Sequence, residues 1–127
     1  MKIICLLFLL VVCKNEPGYN LEHTLSSKEE VIRKAFEFLK SDDIQGLNKI
    51  LLSRKEHNEM FWNHVGEKFT NDKGMTADNA YSFMNMETGI AQKELAYLLK
   101  GKNLTIKNIE CKRTPEVYGP FTLHLGC

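Results

Sequence analysis

The N-terminal apolar run is the sequence feature that most constrains the fold, because it excludes its own residues from the part of the chain that can form a folded domain. Lys2 precedes an unbroken apolar stretch, residues 3–12, which ends at Cys13 and gives way to polar residues. A positive residue, a short apolar core and an abrupt polar break are typical of an export signal. About ten residues of helix rise only about 15 Å, half the hydrocarbon thickness of a bilayer, which is too short for a stable span. We therefore expect residues 1–12 to be a signal peptide.

The end of this run resembles the lipobox of bacterial lipoproteins. Leu10 and Val11 match the family pattern before Cys13, whereas Val12 stands where the family usually has Gly, Ala or Ser. In that family the signal is cut before the cysteine, which then carries acyl chains. The resemblance implies that Cys13 is lipidated and anchors the protein in the cell envelope, on the periplasmic side or the outer surface. Plain secretion, or burial of the run inside the folded body, are the alternatives.

Length and charge limit the domain organisation and the partners. Cleavage before Cys13 removes 12 of the 127 residues and leaves 115, enough for one domain with one core. We expect residues 13–26 to form a tether and residues 27–127 to form a single globular domain. Loss of Lys2 leaves 16 basic and 16 acidic residues, so nucleic-acid binding is disfavoured. The expected partners are the membrane, through the anchor, and a small apolar ligand or an envelope protein.

Two cysteines remain in the expected domain, Cys111 and Cys127. An even pair in an exported chain predicts a disulfide, which contributes roughly 3 kcal/mol for a loop of about 17 residues on the chain-entropy model. With His124 as the only nearby imidazole, the pair lacks the closely spaced ligands of a zinc site. We therefore expect a cross-link, with neither a metal nor a cofactor.

Capping signals and apolar periodicity predict three short helices followed by one long helix. Ser27 and Ser53 each precede a glutamate by three residues, the form of a capping box, and Asp42 or Asp43 can cap the helix between them. The long helix is expected over residues 77–100, with Gly101 as its stop. Its expected buried stripe consists of Ala80, Met84, Thr88, Ala91, Leu95 and Leu98. The group of Met75, Phe83, Met84 and Met86 resembles a soft binding lining, but we favour the interpretation that it is part of the buried face of this helix.

After Gly101 the apolar period changes to two, which predicts two strands, over residues 104–111 and 121–127. The expected fold class is therefore α+β, with three short N-terminal helices, one long helix and a C-terminal antiparallel hairpin. A hairpin alone is marginal in water and needs cover over its apolar face.

Residues 28–51 resemble the opening of NTF2-like (SnoaL-like) domains. An apolar helix, an acidic turn residue and a second apolar helix occur in the family's order, at Val31, Phe36, Leu39, Asp42 and Leu47. The resemblance implies a shortened form of a cone-shaped α+β fold, in which a curved sheet of four or more strands wraps a long helix around a pocket. Some members of the family bind ligands and a few are enzymes.

The densest polar and aromatic cluster provides a candidate pocket of His57, Trp62 and His64. The two histidines are seven residues apart, so a regular helix places them on one face about 10 Å apart, too far to share one metal ion. A histidine here can act as a general base if Glu56 or Glu87 orients it. We favour the simpler interpretation, in which both rings fill a seam between helices and Trp62 packs at the core or its rim.

The chain contains no Gly-rich phosphate loop, serine-centred elbow or paired-cysteine motif. We therefore expect a small exported envelope lipoprotein with a binding or interaction role, and we assign no catalytic residue. The alternatives are an NTF2-like enzyme with a histidine general base and a secreted effector stapled by its disulfide.

Overall fold

The computed structural model describes residues 25, 27–69, 74–124 and 126–127, and of residues 67–69 it describes the backbone alone. The predicted signal peptide, Cys13 and nearly all of the predicted tether lie outside these residues and stay predictions. Within the described ranges, no helix combines the length and the apolar character that crossing a bilayer requires.

The first two helices begin at side-chain caps that the sequence predicts. Helix α1 spans Lys28–Lys40 and helix α2 spans Ile44–Lys49. The Ser27 hydroxyl accepts a hydrogen bond from the backbone of α1 at 3.1 Å, and Asp43 Oδ1 accepts one from the backbone of α2 at 2.8 Å. Each cap satisfies a backbone N–H that the first turn of a helix otherwise leaves unbonded.

The third helical stretch is interrupted by a π-helical segment. It starts as α3 (Arg54–Glu56), passes through the π-helical segment (His57–Phe61) and continues as α4 (Trp62–Phe69). Ser53 and Glu56 form the predicted capping box, since the Ser53 backbone donates to Glu56 Oε2 at 2.8 Å and the Glu56 backbone donates to Ser53 Oγ at 3.2 Å. A π-helical turn holds more residues than an α-helical one, so it rotates the side chains that follow it.

Helix α5 spans Ala77–Leu99 and is the predicted long helix, capped by the Thr76 side chain. Its buried residues are Gln92 and Ala96, whereas Leu98 is 41% exposed. The expectation that Phe83 and Met86 lie in its buried face is wrong, because both side chains are more than half exposed. A helix of 23 residues is about 34 Å long, which exceeds what the shorter helices beside it can cover.

The chain closes with the predicted antiparallel hairpin, so the α+β fold class is confirmed. Strand β1 spans Glu116–Tyr118 and pairs with β2, Phe121–Leu123. The predicted first strand, residues 104–111, is not one, because the tight turn at Gly119 pairs β2 with the residues immediately before it. The one sheet of the described residues has two strands, fewer than the NTF2-like resemblance implies.

The buried side chains form two clusters, each made by different elements. The first joins α1, α2 and α5 through Ala35, Leu39, Leu47 and Ala96. The second joins the π-helical segment, α4 and β2 through Phe61, Val65, Phe121 and Leu123. The apolar face of the hairpin is therefore covered by the third helical stretch, which supplies the support that two strands need in water.

The predicted cross-link is present, as Cys111 and Cys127 form a disulfide. Beside it, the Lys112 backbone donates to the Gly126 carbonyl at 3.0 Å. These bonds hold the end of the chain against the residues that precede the hairpin.

Gly119 provides a test of the hairpin's fit to α4. Its φ is 56°, and a Cβ added to it would lie 2.4 Å from Nδ1 of His64. Gly119→Ala adds a strained backbone and a clash with the ring, so we expect the free energy of unfolding to fall by about 2–4 kcal/mol in urea denaturation. The matched control is Gly101→Ala, where φ is 72° and nothing lies within 4 Å of the added Cβ, so only the backbone cost applies. Equal losses in the two variants would contradict the contact with His64.

Candidate functional site

A cleft of about 320 Å³ lies between the connection that joins α2 to α3 and the first half of α5. This volume is at the lower end of the range for small-molecule sites. Helix α5 contributes Tyr81, Met84, Asn85 and Thr88, whose spacing of three and four residues places them on one face of the helix. The opposite wall consists of the end of α2, the connection and the start of α3.

The lining of the cleft combines an apolar surface with uncharged hydrogen-bonding groups. The apolar side chains are contributed by both walls, and they are Ile50, Leu51, Leu52 and Met84. Carboxamides face the cleft from both walls at Asn48 and Asn85, and hydroxyls are supplied by Ser53 and Thr88. A few fixed polar groups on an apolar surface are typical of sites that bind and orient a small molecule.

Arg54 is the one charged residue that lines the cleft. Its guanidinium lies 4.9 Å from the centroid of the Tyr81 ring and forms an ion pair with Asp78. Hydrogen bonds from Arg54 and Asn58 hold the pKa of the Asp78 carboxyl below its usual value. The Tyr81 hydroxyl donates to the Leu52 carbonyl at 3.4 Å, which ties the two walls together. The arrangement places a guanidinium, paired with a carboxylate outside the lining, at one end of an otherwise uncharged cleft.

His57 lies behind this end of the cleft rather than in its lining. The residue is 3% exposed, and its ring centroid lies 5.3 Å from that of Tyr81 and 5.7 Å from that of Phe61. Its Nδ1 is hydrogen-bonded to the Asn58 side chain at 2.8 Å. Burial among these rings lowers the pKa of His57, because the charged form loses its hydration.

The other two members of the predicted pocket also lie away from the cleft lining. His64 packs against Phe121 of the hairpin with their ring centroids 5.5 Å apart, whereas the half-buried Trp62 lies 5.8 Å from His57. The two histidines therefore contact different elements, α5 for His57 and β2 for His64. The π-helical segment, which begins at His57, accounts for this difference. It breaks the regular helical repeat that would place the two histidines on one face.

The structure places the two carboxylates considered as partners of a histidine base in other environments. Glu56 is buried and accepts the capping-box hydrogen bond, and Glu87 is exposed on α5. Among the residues that the structure describes, no group of three or more His, Cys, Asp or Glu side chains is placed to hold a metal ion.

Sequence reasoning missed the cleft as a site, although it considered one residue of the lining, Met84, as part of a possible binding surface. The α5 side carried a signal, since Tyr81, Asn85 and Thr88 repeat at helical spacing with side chains that form hydrogen bonds. The opposite wall of the cleft carried no such signal in the sequence. The connection between α2 and α3 lies beside α5 because of packing between elements that are distant in sequence.

The buried His57 ring predicts a specific dependence of stability on pH. Its pKa is below 6.5 in the folded protein and about 6.5 in the unfolded chain, so the unfolded chain binds the proton first as the pH falls. The contribution of His57 to stability is complete above pH 6.5 and decreases below it, by at most about 1.4 kcal/mol per pH unit, until the folded pKa is reached. His57→Phe should remove this part of the slope in urea unfolding over a pH series. Parallel wild-type and variant profiles below pH 6.5 would contradict the prediction.

Comparison of this chain with protein-family models, with curated proteins and with solved structures finds no match. The lipobox-like and NTF2-like resemblances therefore stay predictions from the residues that carry them.

Proposed function

We propose that this protein is an exported, membrane-tethered binding protein that holds a small amphipathic ligand in the cleft between α2 and α5. The observation that carries the proposal is the lining of the cleft, where apolar side chains alternate with carboxamides and hydroxyls. That lining contains no His, Cys, Lys, Asp or Glu side chain that could act as a general base or activate its hydroxyls. A binding role therefore fits it better than catalysis.

The lining also indicates the chemistry of the ligand. Ile50, Leu51 and Met84 favour an apolar group, and the carboxamides of Asn48 and Asn85 can donate to and accept from an amide. Arg54 brings the one charged group of the lining; Asp78, outside the lining, pairs with one of its nitrogens, and a guanidinium has further N–H groups that can donate to a carboxylate. We propose a ligand with an apolar body, one or two amides and a carboxylate, which is the chemistry of a short apolar peptide with a free C-terminus.

Residues 1–13 support the tethered location. The basic start, the short apolar core and the Leu10-Val11-Val12-Cys13 sequence favour export followed by acylation of Cys13. A disulfide between Cys111 and Cys127 is compatible with this route, because such bonds persist in oxidising compartments outside the cytosol. Stable anchoring requires more than one acyl chain, since a single chain binds membranes only marginally. Secretion without an anchor would leave the proposed cleft function unchanged.

The ligand proposal is tested with N-acetyl-leucyl-leucine, followed by chemical shifts of the backbone amides of the isotope-labelled protein. We expect shifts at the cleft residues and saturable binding in the range of about 0.1–1 mM, which suits a ligand of this size. The matched amide, N-acetyl-leucyl-leucinamide, lacks the carboxylate. It should bind several-fold more weakly if Arg54 contacts that group.

Two variants on α5 separate cleft binding from adsorption to the surface. Asn85→Trp places a large ring in the cleft and should weaken binding by about tenfold, whereas Lys93→Trp adds the same ring at an exposed position of the same helix and should leave it unchanged. Shifts confined to residues outside the cleft, or equal affinity in the two variants, would overturn the proposal.

The anchor is tested by mass spectrometry of the N-terminal peptide of protein purified from cells that produce it. We expect a peptide that begins at Cys13 and carries acyl chains, and loss of membrane association in Cys13→Ala. An unmodified N-terminus downstream of Cys13 would favour secretion. A retained N-terminus at Met1 would contradict export with cleavage.

A further inference from the structure

Residues 102–111, here called the extended segment, are held against α1 along one edge. Lys40 donates to the Leu104 carbonyl at 3.1 Å and Arg33 donates to the Ile106 carbonyl at 3.3 Å. The Lys28 ammonium lies 3.9 Å from the sulfur of Cys111, whose disulfide fixes the end of the segment. Side chains of α1 therefore contact the extended segment at its start, middle and end.

The first two contacts indicate an extended backbone at Leu104–Ile106. Lys40 and Arg33 lie seven residues apart on α1, about 10 Å along the helix axis, yet they contact carbonyls only two residues apart. Two residues of fully extended chain span about 7 Å, and the two long side chains cover the rest of the distance. No residue from 102 to 111 has a positive φ.

Between residues 103 and 107, nothing among the described residues is bonded to the opposite edge of the segment. In an extended chain, the backbone groups of successive residues point to opposite edges, so those of Asn103, Thr105 and Lys107 point away from the edge that α1 contacts. Within the described part of the chain, none of these three residues forms a hydrogen bond with another residue. At the far end, the Ile109 backbone donates to the Asn108 side chain, which limits the unbonded edge to residues 103–107.

The surroundings of this edge are positively charged. Residues 102–113 contain four basic side chains and one acidic one, a net charge of +3 in a chain whose total is +1. The four are exposed and make no ion pair within the described residues, and they are Lys102, Lys107, Lys112 and Arg113. An unpaired strand edge offers main-chain hydrogen bonds to another strand, and these charges favour a strand that is acidic.

We infer that residues 103–107 are a docking edge for an extended acidic peptide of a partner protein, which adds to this edge as a β-strand. The backbone of Asn103, Thr105 and Lys107 supplies the main-chain hydrogen bonds, and Lys102 and Lys107 select acidic side chains. The α1 contacts and the disulfide hold the edge in its bound form before the partner arrives, which lowers the entropic cost of binding. This site is separate from the cleft and does not depend on the function proposed for it.

The test uses the oxidised full chain and a fluorescein-labelled peptide, Glu-Val-Glu-Thr-Glu-Val-Glu, in fluorescence anisotropy. We expect saturable binding that weakens with salt, together with slower hydrogen exchange of the amides of Asn103, Thr105 and Lys107. The double variant Lys102→Glu/Lys107→Glu should weaken binding by about tenfold, and the control Lys93→Glu on α5 should not change it. The same peptide with alternate amides N-methylated keeps its charge, loses its strand donors and should not bind.

Three outcomes would overturn the inference. Equal binding of the N-methylated peptide would mean charge attraction without strand addition. Binding to phosphatidylglycerol vesicles without binding to the peptide would mean a site for an anionic lipid surface. The Asn85→Trp variant, which fills the cleft, should bind the peptide with the affinity of the wild type. Loss of peptide binding in that variant would place the peptide in the cleft, whereas failure of the dipeptide test alone would leave the docking edge intact.

Discussion

The packing of His57 against Tyr81 connects the two halves of the described structure. One buried cluster lies among α1, α2 and α5, the other lies among the π-helical segment, α4 and β2, and no residue belongs to both. His57 is part of the π-helical segment and Tyr81 is part of α5, and their ring centroids lie 5.3 Å apart. Because Tyr81 also donates to Leu52 and stacks under Arg54, the contact that joins the halves also sets the end wall of the cleft.

The parts of the fold that the sequence predicts well are those that local chemistry determines. A helix start needs a side chain that accepts from a backbone N–H two or three residues ahead, and Ser27, Asp43, Ser53 and Thr76 all do this where the sequence predicts a helix. The disulfide was predictable from the sequence, since Cys111 and Cys127 are the cysteines left once the export signal and the expected lipidation site Cys13 are set aside.

The parts that the sequence does not predict depend on contacts between distant residues. An alternating pattern over residues 104–111 indicates an extended backbone, but whether that backbone pairs as a strand depends on its neighbour. Here the neighbour is α1, whose Arg33 and Lys40 contact the carbonyls that a strand would otherwise use. The π-helical segment likewise leaves no local signal, and it separates His57 from His64 by changing the helical repeat.

The position of Trp62 gives the protein an internal optical reporter. It is the only tryptophan, its ring lies across Gly66, and its centroid is 5.8 Å from that of His57. Its emission therefore reports on the junction where the π-helical segment becomes α4. Tyr97, near the C-terminal end of α5, is 83% exposed and therefore has no comparable packed surroundings. Disruption of the π-helical segment would change the tryptophan spectrum even if α1, α2 and α5 kept their helical circular dichroism.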